Sequence, residues 1–198
     1  MGKRIRLLIL LGSVTAPGRL QRALADAVAR SGAENWIEAE LIDLADYRLD
    51  FVGRPGEAED DREQLVEAVA EADAVVFATP VYRGSMSGAL KNLFDLLPVE
   101  ALESKPAGIV AMGASAHHFL GAERHLRDVL SFFGALQAPV AVYLTSADFD
   151  EGVPTERAEA ALDELFAGVG SIAMALPTAW QLGPQPLAAR KVPVVPTS

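Results

Sequence analysis

Three short loops hold the residues of this chain that could do chemistry. The first loop, GSVTAPGR at residues 12–19, combines a hydroxyl, a guanidinium and backbone N–H groups directly before a predicted helix. Unpaired amides and the positive end of a helix dipole favour an anion such as phosphate. The loop matches neither the G-x-G-x-x-G pattern of dinucleotide-binding folds nor the P-loop pattern. It therefore predicts an anion site, with a plain tight turn as the alternative.

Two further loops follow the third and fourth predicted strands and are called the third loop and the fourth loop. The third loop, TPVYRGS at residues 79–85, carries the flat side chain of Tyr82. The fourth loop, GASAHH at residues 113–118, begins with very small side chains. Small residues let a planar ring lie close to the main chain, where peptide N–H and C=O groups can bind its polar edge. These features suit an isoalloxazine, although a polar sugar or a nucleotide would fit them too.

The elements that must position these loops alternate in type along the chain. The predicted strands are residues 4–11, 36–42, 74–78, 106–112 and 138–144. The predicted helices are residues 19–30, 62–72, a segment from about Ser87 to Pro98, 120–133 and a long segment that opens at 154–156 and ends near Ala175. Alternation of this kind is typical of a doubly wound parallel sheet. We therefore predict an α/β fold, flavodoxin-like, with five parallel strands in the order 2-1-3-4-5 and a single domain.

Composition narrows the class of protein. The 198 residues carry a formal net charge of −10, much of it in residues 57–73, so a nucleic-acid partner is not expected. No apolar run reaches the roughly 18 residues that a membrane span needs. Cysteine is absent, which excludes a disulfide framework and thiolate sites. We expect a cytoplasmic protein with one domain at residues 1–176 and a proline-rich tail at 177–198.

The segment TPVYRGSMSGALKNLFDLLP, residues 79–98, carries a resemblance to a known family. Together with the serine and arginine of the first loop and Lys105-Pro106 before the fourth strand, it resembles the NAD(P)H-dependent FMN reductases. The likeness is strongest to the reductases that supply reduced FMN to alkanesulfonate monooxygenases, and it covers roughly residues 5–149. Membership of that family, which the resemblance implies, agrees with the predicted α/β fold.

The resemblance also implies where FMN would bind. In the first loop, the residues that match those holding the flavin phosphate are Ser13, Pro17, Arg19 and Gln21. In the third loop, the residues that match those lying against the ring and ribityl chain are Pro80, Val81, Tyr82, Arg83, Gly84 and Ser85. In the fourth loop, which would close over the ring, the matching residues are Gly113, Ala114 and Ser115. Thr15 and Leu20 stand where many relatives have an arginine and a hydroxyl, so a weaker hold on the phosphate is expected.

His117 and His118 also suggest acid–base or metal chemistry. No third ligand stands at a metal-binding spacing, and hydride transfer between nicotinamide and flavin requires no protein acid or base. We therefore expect no catalytic side chain and no metal, and we assign His117 to the nicotinamide side of the site.

The implied activity is hydride transfer from NADPH or NADH to FMN, by a homodimer or homotetramer that supplies reduced flavin to a partner monooxygenase. Two alternatives share the same loops. One is a reductase that keeps its flavin bound and reduces quinones, azo dyes, nitro compounds or chromate. The other is a flavodoxin-type electron carrier, which is not an enzyme.

Overall fold

A parallel β-sheet with helices on both faces forms the body of the chain in its computed structural model. The structure describes residues 4–15, 17–53, 56, 60–176 and 182–184. The strands of the sheet are β1 (Ile5–Leu11), β2 (Ile37–Asp43), β3 (Ala74–Pro80), β4 (Pro106–Met112), β5 (Leu136–Gln137) and β6 (Val142–Leu144). Their order is β2-β1-β3-β4, and β5 and β6 both pair with β4 at the far edge. The predicted order 2-1-3-4-5 is confirmed, with β5 and β6 sharing the fifth position.

Five α-helices cover the two faces of this sheet. They are α1 (Arg19–Ser31), α2 (Arg62–Glu71), α3 (Gly88–Leu96), α4 (Phe119–Phe132) and α5 (Glu156–Ala175). Side chains of α1 and α5 form one core with the sheet, and side chains of α2, α3 and α4 form the other. Strands β1, β3 and β4 are buried on both faces, which explains why they are almost continuously apolar.

The structure corrects the predicted strand at residues 138–144. Pairing with β4 runs through Gln137, continues with one hydrogen bond from the N–H of Ala138, and resumes only at Val142. The interruption falls at Pro139, which has no N–H to donate to the neighbouring strand. The break leaves the carboxyl half, β6, as a separate strand that delivers Tyr143 to the edge where the loops lie.

The start of α5 also differs from the prediction. Pro154 lies in a short antiparallel pair, β7 (Phe149–Asp150) with β8 (Val153–Pro154), instead of the first turn of the helix. Thr155 is the N-cap, because its side chain accepts a hydrogen bond from the N–H of Ala158.

None of the helices in the described part of the chain is long and apolar enough to cross a membrane. The predicted tail at residues 177–198 lies outside the described residues except for 182–184, where the N–H of Leu182 donates to Ser104 Oγ at 3.2 Å.

Gly12, in the first loop, lies against the amino end of α3. The effect of its missing side chain on stability can be tested. A Cβ atom at this position would lie 2.5 Å from Leu90 Cβ and 2.7 Å from Ser87 Oγ. We expect Gly12→Ala to lower the free energy of unfolding by about 1–3 kcal/mol, because α3 would have to move away from β1. Urea unfolding of both proteins measures the change.

Gly168→Ala is the matched control, because a Cβ on this exposed α5 residue would meet nothing within 4 Å. That substitution should leave the stability unchanged or raise it by about 0.5–1 kcal/mol. Equal unfolding midpoints for the wild-type protein and Gly12→Ala would contradict the close packing described here.

Candidate active site

The first, third and fourth loops meet at the carboxyl edge of the sheet, because they follow the adjacent parallel strands β1, β3 and β4. Two cavities open there. The α1 cavity, of about 210 Å³, is lined by Leu11, Ser13, Thr15, Gly18, Arg19, Leu20, Gln21, Pro80, Tyr82 and Met112. The loop cavity, of about 410 Å³, is lined by Val81, Arg83, Gly84, Gly113, Ala114 and Tyr143. Pro80 and Met112 line the α1 cavity, and the residues that follow them, Val81 and Gly113, line the loop cavity. The two cavities are therefore neighbours.

The amino end of α1 faces the α1 cavity without a capping side chain. Its N-cap residue, Gly18, makes no side-chain cap hydrogen bond, and the first turn of the helix contains no acidic residue. Neither a capping side chain nor an acidic first-turn residue therefore neutralises the helix dipole at this end. Nearby, Ser13 Oγ donates to the carbonyl of Thr15 at 3.1 Å, which bends the first loop back on itself. This arrangement suits an anionic group.

Arg19, which lines the α1 cavity, is held by two contacts from the segment that follows β6. Its Nη2 donates to Ser146 Oγ at 3.3 Å, and its guanidinium carbon lies 5.3 Å from the centroid of the Phe149 ring. A cation over an aromatic face is attracted by the ring's quadrupole, and the ring restricts how the long side chain can move. Arg19 is thus oriented before any ligand arrives.

The third loop is a tight turn whose ends are clamped. Tyr82 and Ser85 exchange two backbone hydrogen bonds of 3.0 Å, and the residues between them have positive φ angles, +52° at Arg83 and +77° at Gly84. Positive φ at both central positions is characteristic of a type I′ turn. Behind the turn, the buried Thr79 accepts a hydrogen bond at 2.9 Å from the N–H of Ser87, the N-cap of α3.

Tyr143 of β6 lines the loop cavity and holds the fourth loop. Its hydroxyl donates to the carbonyl of Ser115 at 2.9 Å, which ties the fourth loop to the edge strand. Partial burial raises the pKa of Tyr143, and a phenol is already protonated at neutral pH at its ordinary pKa of about 10, so the hydroxyl can donate. A Cβ at Gly113 would lie 2.0 Å from the hydroxyl oxygen, so no other residue fits at Gly113 without moving the tyrosine.

The charge of the two cavities is opposite to that of the whole chain. Among their described lining residues are Arg19 and Arg83, and there is no Asp or Glu. A larger cavity of about 580 Å³, between α2 and strands β1 and β2, is lined instead by four glutamates and one arginine. In a chain with a net charge of −10, the carboxyl edge of the sheet is therefore the better site for an anionic ligand.

Most of the residues predicted from the sequence line these cavities. The α1 cavity contains Ser13, Arg19, Gln21, Pro80 and Tyr82, and the loop cavity contains Val81, Arg83, Gly84, Gly113 and Ala114. Four predicted residues do not occur among the described lining residues: Pro17, Ser85, Ser115 and His117. Pro17 of the first loop and His117 of the fourth loop are exposed, whereas Ser85 and Ser115 are half-buried and hydrogen-bond to other elements.

Three of the side chains at this edge were not predicted from the sequence. Tyr143 lines the loop cavity, and Ser146 and Phe149 orient Arg19. The signal available for Tyr143 was an aromatic residue near the carboxyl end of the last strand, where a side chain of an α/β protein can reach the ligand site. Ser146 and Phe149 carried no comparable signal, because neither belongs to a motif.

Comparison with known proteins identifies the family. The family model described as NADPH-dependent FMN reductase matches residues 5–150. The NAD(P)H-dependent FAD/FMN reductase of Geobacillus thermodenitrificans is 41% identical over 117 residues, which are 58% of this chain and 63% of that relative. The NADH-dependent FMN reductase SfnF of Pseudomonas fluorescens is 35% identical over 156 residues, 75% of this chain and 81% of the relative.

A solved structure shows the same fold. The apo form of the NADH:FMN oxidoreductase EMOB superposes with a TM-score of 0.71 at 25% identity, and the match covers 88% of this chain and 91% of that one. The predicted flavodoxin-like fold, the predicted family and the predicted enzyme class are thereby confirmed, and the flavodoxin-type electron carrier is set aside. Because the family model spans most of the chain, this protein belongs to the NADPH-dependent FMN reductase family.

Proposed function

We propose that this protein transfers hydride from NADPH or NADH to FMN, and that the α1 cavity and the loop cavity together hold the flavin. The observation that carries the proposal is the juxtaposition of two different environments. The α1 cavity has an uncapped helix end and Arg19, which suit a phosphate. The adjoining loop cavity has glycines and main chain from two loops, which suit a planar ring.

The residues present fit the flavin in a second way. At Gly113 the space that a side chain would take is filled by the hydroxyl of Tyr143, so the fourth loop lies close against β6. Gly84, at the tip of the third loop, has open space where a Cβ would be, so its main chain is open to a flat group. The third loop therefore presents bare backbone to the loop cavity.

FMN supplies the redox chemistry when bound, because its ring accepts hydride from a nicotinamide and passes the electrons on. The chain binds and orients the two reactants, and the tight turn at residues 82–85 holds the third loop in one shape before they meet. Arg83 adds positive charge at the loop cavity, which stabilises negative charge that develops there. Among the described residues that line this cavity, none is a histidine or a carboxylic acid.

We further propose that the reduced flavin leaves the protein and serves a partner monooxygenase. Leu20 is buried in the core with only 7% of its surface exposed, and its apolar side chain in the first turn of α1 donates no hydrogen bond to a phosphate. Thr15 also supplies no positive charge. Among the described lining residues, Arg19 is then the one cation of the α1 cavity, and a single guanidinium favours exchange of the flavin over permanent retention.

A reductase with permanently bound flavin is the alternative. The FMN-dependent NADPH-azoreductase of Staphylococcus aureus is 30% identical over 150 residues, 72% of this chain and 78% of that relative. The same loops could serve either outcome, so retention or release of the reduced flavin distinguishes the two.

A homodimer or homotetramer is proposed as the working assembly. Phe132 and Phe133 are adjacent in the sequence, and they divide between two environments. Phe133 is buried against Phe94, whereas Phe132 is 54% exposed at the end of α4. Phenylalanine is enriched in protein–protein interfaces relative to the rest of the surface, which supports a second subunit at this end of α4.

Arg19→Ala tests the assignment of the α1 cavity to the flavin phosphate. Loss of a charge-assisted contact of about 1.5–3 kcal/mol should raise the dissociation constant for FMN roughly 10- to 150-fold. Riboflavin, which lacks the phosphate, should bind equally well to the wild-type protein and to the variant. Quenching of flavin fluorescence measures both affinities.

Arg22→Ala is the matched control for this experiment, because Arg22 is an exposed arginine on the same helix that does not line the cavity as described. It should bind FMN as the wild-type protein does. An unchanged FMN affinity in Arg19→Ala would show that the phosphate lies elsewhere.

The activity itself is tested by anaerobic addition of NADPH or NADH to the purified protein with FMN. We expect protein-dependent loss of the visible flavin absorbance with at least one of the two nucleotides. Dialysis of the reduced mixture then separates the two proposals, because a flavin supplier releases reduced FMN and a bound-flavin reductase retains it. If neither nucleotide reduces FMN faster than in buffer alone, the proposed function is wrong.

A further inference from the structure

Helix α4 lies against the tip of the third loop through two residues one helical turn apart. Gly121 and His125 are separated by four positions, so they share one face of the helix. Gly121 approaches the main chain of Gly84, and His125 contacts the side chain of Ser85. Both contacts reach the turn that lines the loop cavity, although neither Gly121 nor His125 lines the cavity in the described structure.

The first contact is a close approach of two main chains. A Cβ on Gly121 would lie 2.6 Å from the carbonyl oxygen of Gly84 and 3.7 Å from its Cα. Real Cβ atoms do not come so near a backbone oxygen, so the absence of a side chain at position 121 allows the turn to rest on the helix. Any larger residue there would push the turn outwards.

The second contact is a hydrogen bond. Nδ1 of His125 lies 2.8 Å from Ser85 Oγ, which is a good distance for a bond between a ring nitrogen and a hydroxyl. Ser85 is the last residue of the turn, and its backbone N–H and C=O already pair with Tyr82. His125 therefore fixes the remaining free part of that residue, its side chain.

The turn requires such support because its conformation is unfavourable for one of its residues. Arg83 has a φ of +52°, a left-handed conformation that non-glycine residues seldom adopt. Strained residues of this kind persist when the surrounding structure over-determines them. The Tyr82–Ser85 bonds act within the turn, and α4 acts on it from outside.

We propose that His125 is a positioning residue for the flavin site and that, with Gly121, it makes α4 a brace for the third loop. Through Ser85 it holds Arg83 and Gly84 at the wall of the loop cavity, where the ring of the flavin would lie. This inference rests on the proposed function, since it assigns the brace a role in flavin binding.

Three substitutions at His125 separate the hydrogen bond from simple packing. Asparagine places a polar atom close to the position of Nδ1, glutamine places it about one bond farther out, and phenylalanine keeps a ring but offers no hydrogen bond. We expect His125→Phe and His125→Gln to raise the dissociation constant for FMN and the KM for FMN about 2- to 10-fold. His125→Asn should restore most of the affinity, and kcat should change less than twofold in all three.

Further variants at Ser85, Asp128 and Gly121 complete the test. In a Ser85→Ala background, His125→Phe should have no additional effect on FMN affinity, because the partner of the hydrogen bond is already gone. Asp128→Ala, an exposed residue farther along α4, is the control and should behave as the wild-type protein does. Gly121→Ala should weaken FMN binding at least tenfold while the far-ultraviolet circular dichroism stays unchanged.

The outcomes separate this inference from the proposed function. The brace is disproved if the wild-type protein binds FMN and His125→Phe binds it with the same affinity. It is also disproved if His125→Asn weakens FMN binding as much as His125→Phe does. In both cases the proposed function stands. If the wild-type protein does not bind FMN, the proposed function fails, and hydrogen exchange decides the brace alone. Faster exchange at the amides of Tyr82 and Ser85 in His125→Phe would then support it, and unchanged exchange would overturn it.

Discussion

The whole site depends on how closely α3 packs against the carboxyl ends of β1 and β3. The N–H of Gly12 donates to the carbonyl of Ala78 at 2.8 Å, and the amino end of α3 lies so near that Gly12 has no room for a side chain. On the other side of the same junction, Thr79 accepts a hydrogen bond from Ser87. These contacts fix where the first loop leaves its strand and where the third loop begins and ends, so the two cavities take their positions from one junction.

A second constraint is electrostatic. The chain is strongly acidic, yet the described walls of both cavities carry arginine and no carboxylate. An anionic ligand is consequently attracted by local groups against the general field of the protein. Anion binding at the α1 cavity therefore depends on the orientation of Arg19, and both Ser146 and Phe149 hold that side chain in place. A flexible lysine at the same place could not stack on a ring in this way.

Much of the fold could be predicted because each element carries its own local signal. The bounds of β4 agree with the prediction at both ends, since its apolar run begins at a proline and ends at a glycine. Ser87 was expected near the start of α3 and is its N-cap. The fifth strand was predicted as one piece because its residues are uniformly apolar, and the effect of Pro139 depends on pairing with a neighbour. The residues of the candidate site were predicted from the sequence motif of the third loop. Such a motif indicates the family of a protein but not the contacts of its individual side chains.

The sequence by itself determined the alternation of strands and helices, the small and polar residues of three loops, and the family. The tertiary structure alone decided which side chains meet at the candidate site. Arg19 and Ser146 are 127 residues apart, Ser85 and His125 are 40 apart, and Ser115 and Tyr143 are 28 apart. Contacts of this kind depend on strand order, register and the packing angle of a helix. None of these features produces a periodic pattern in the sequence. Local patterns therefore predict where the loops lie, and only the assembled sheet shows what holds them in place.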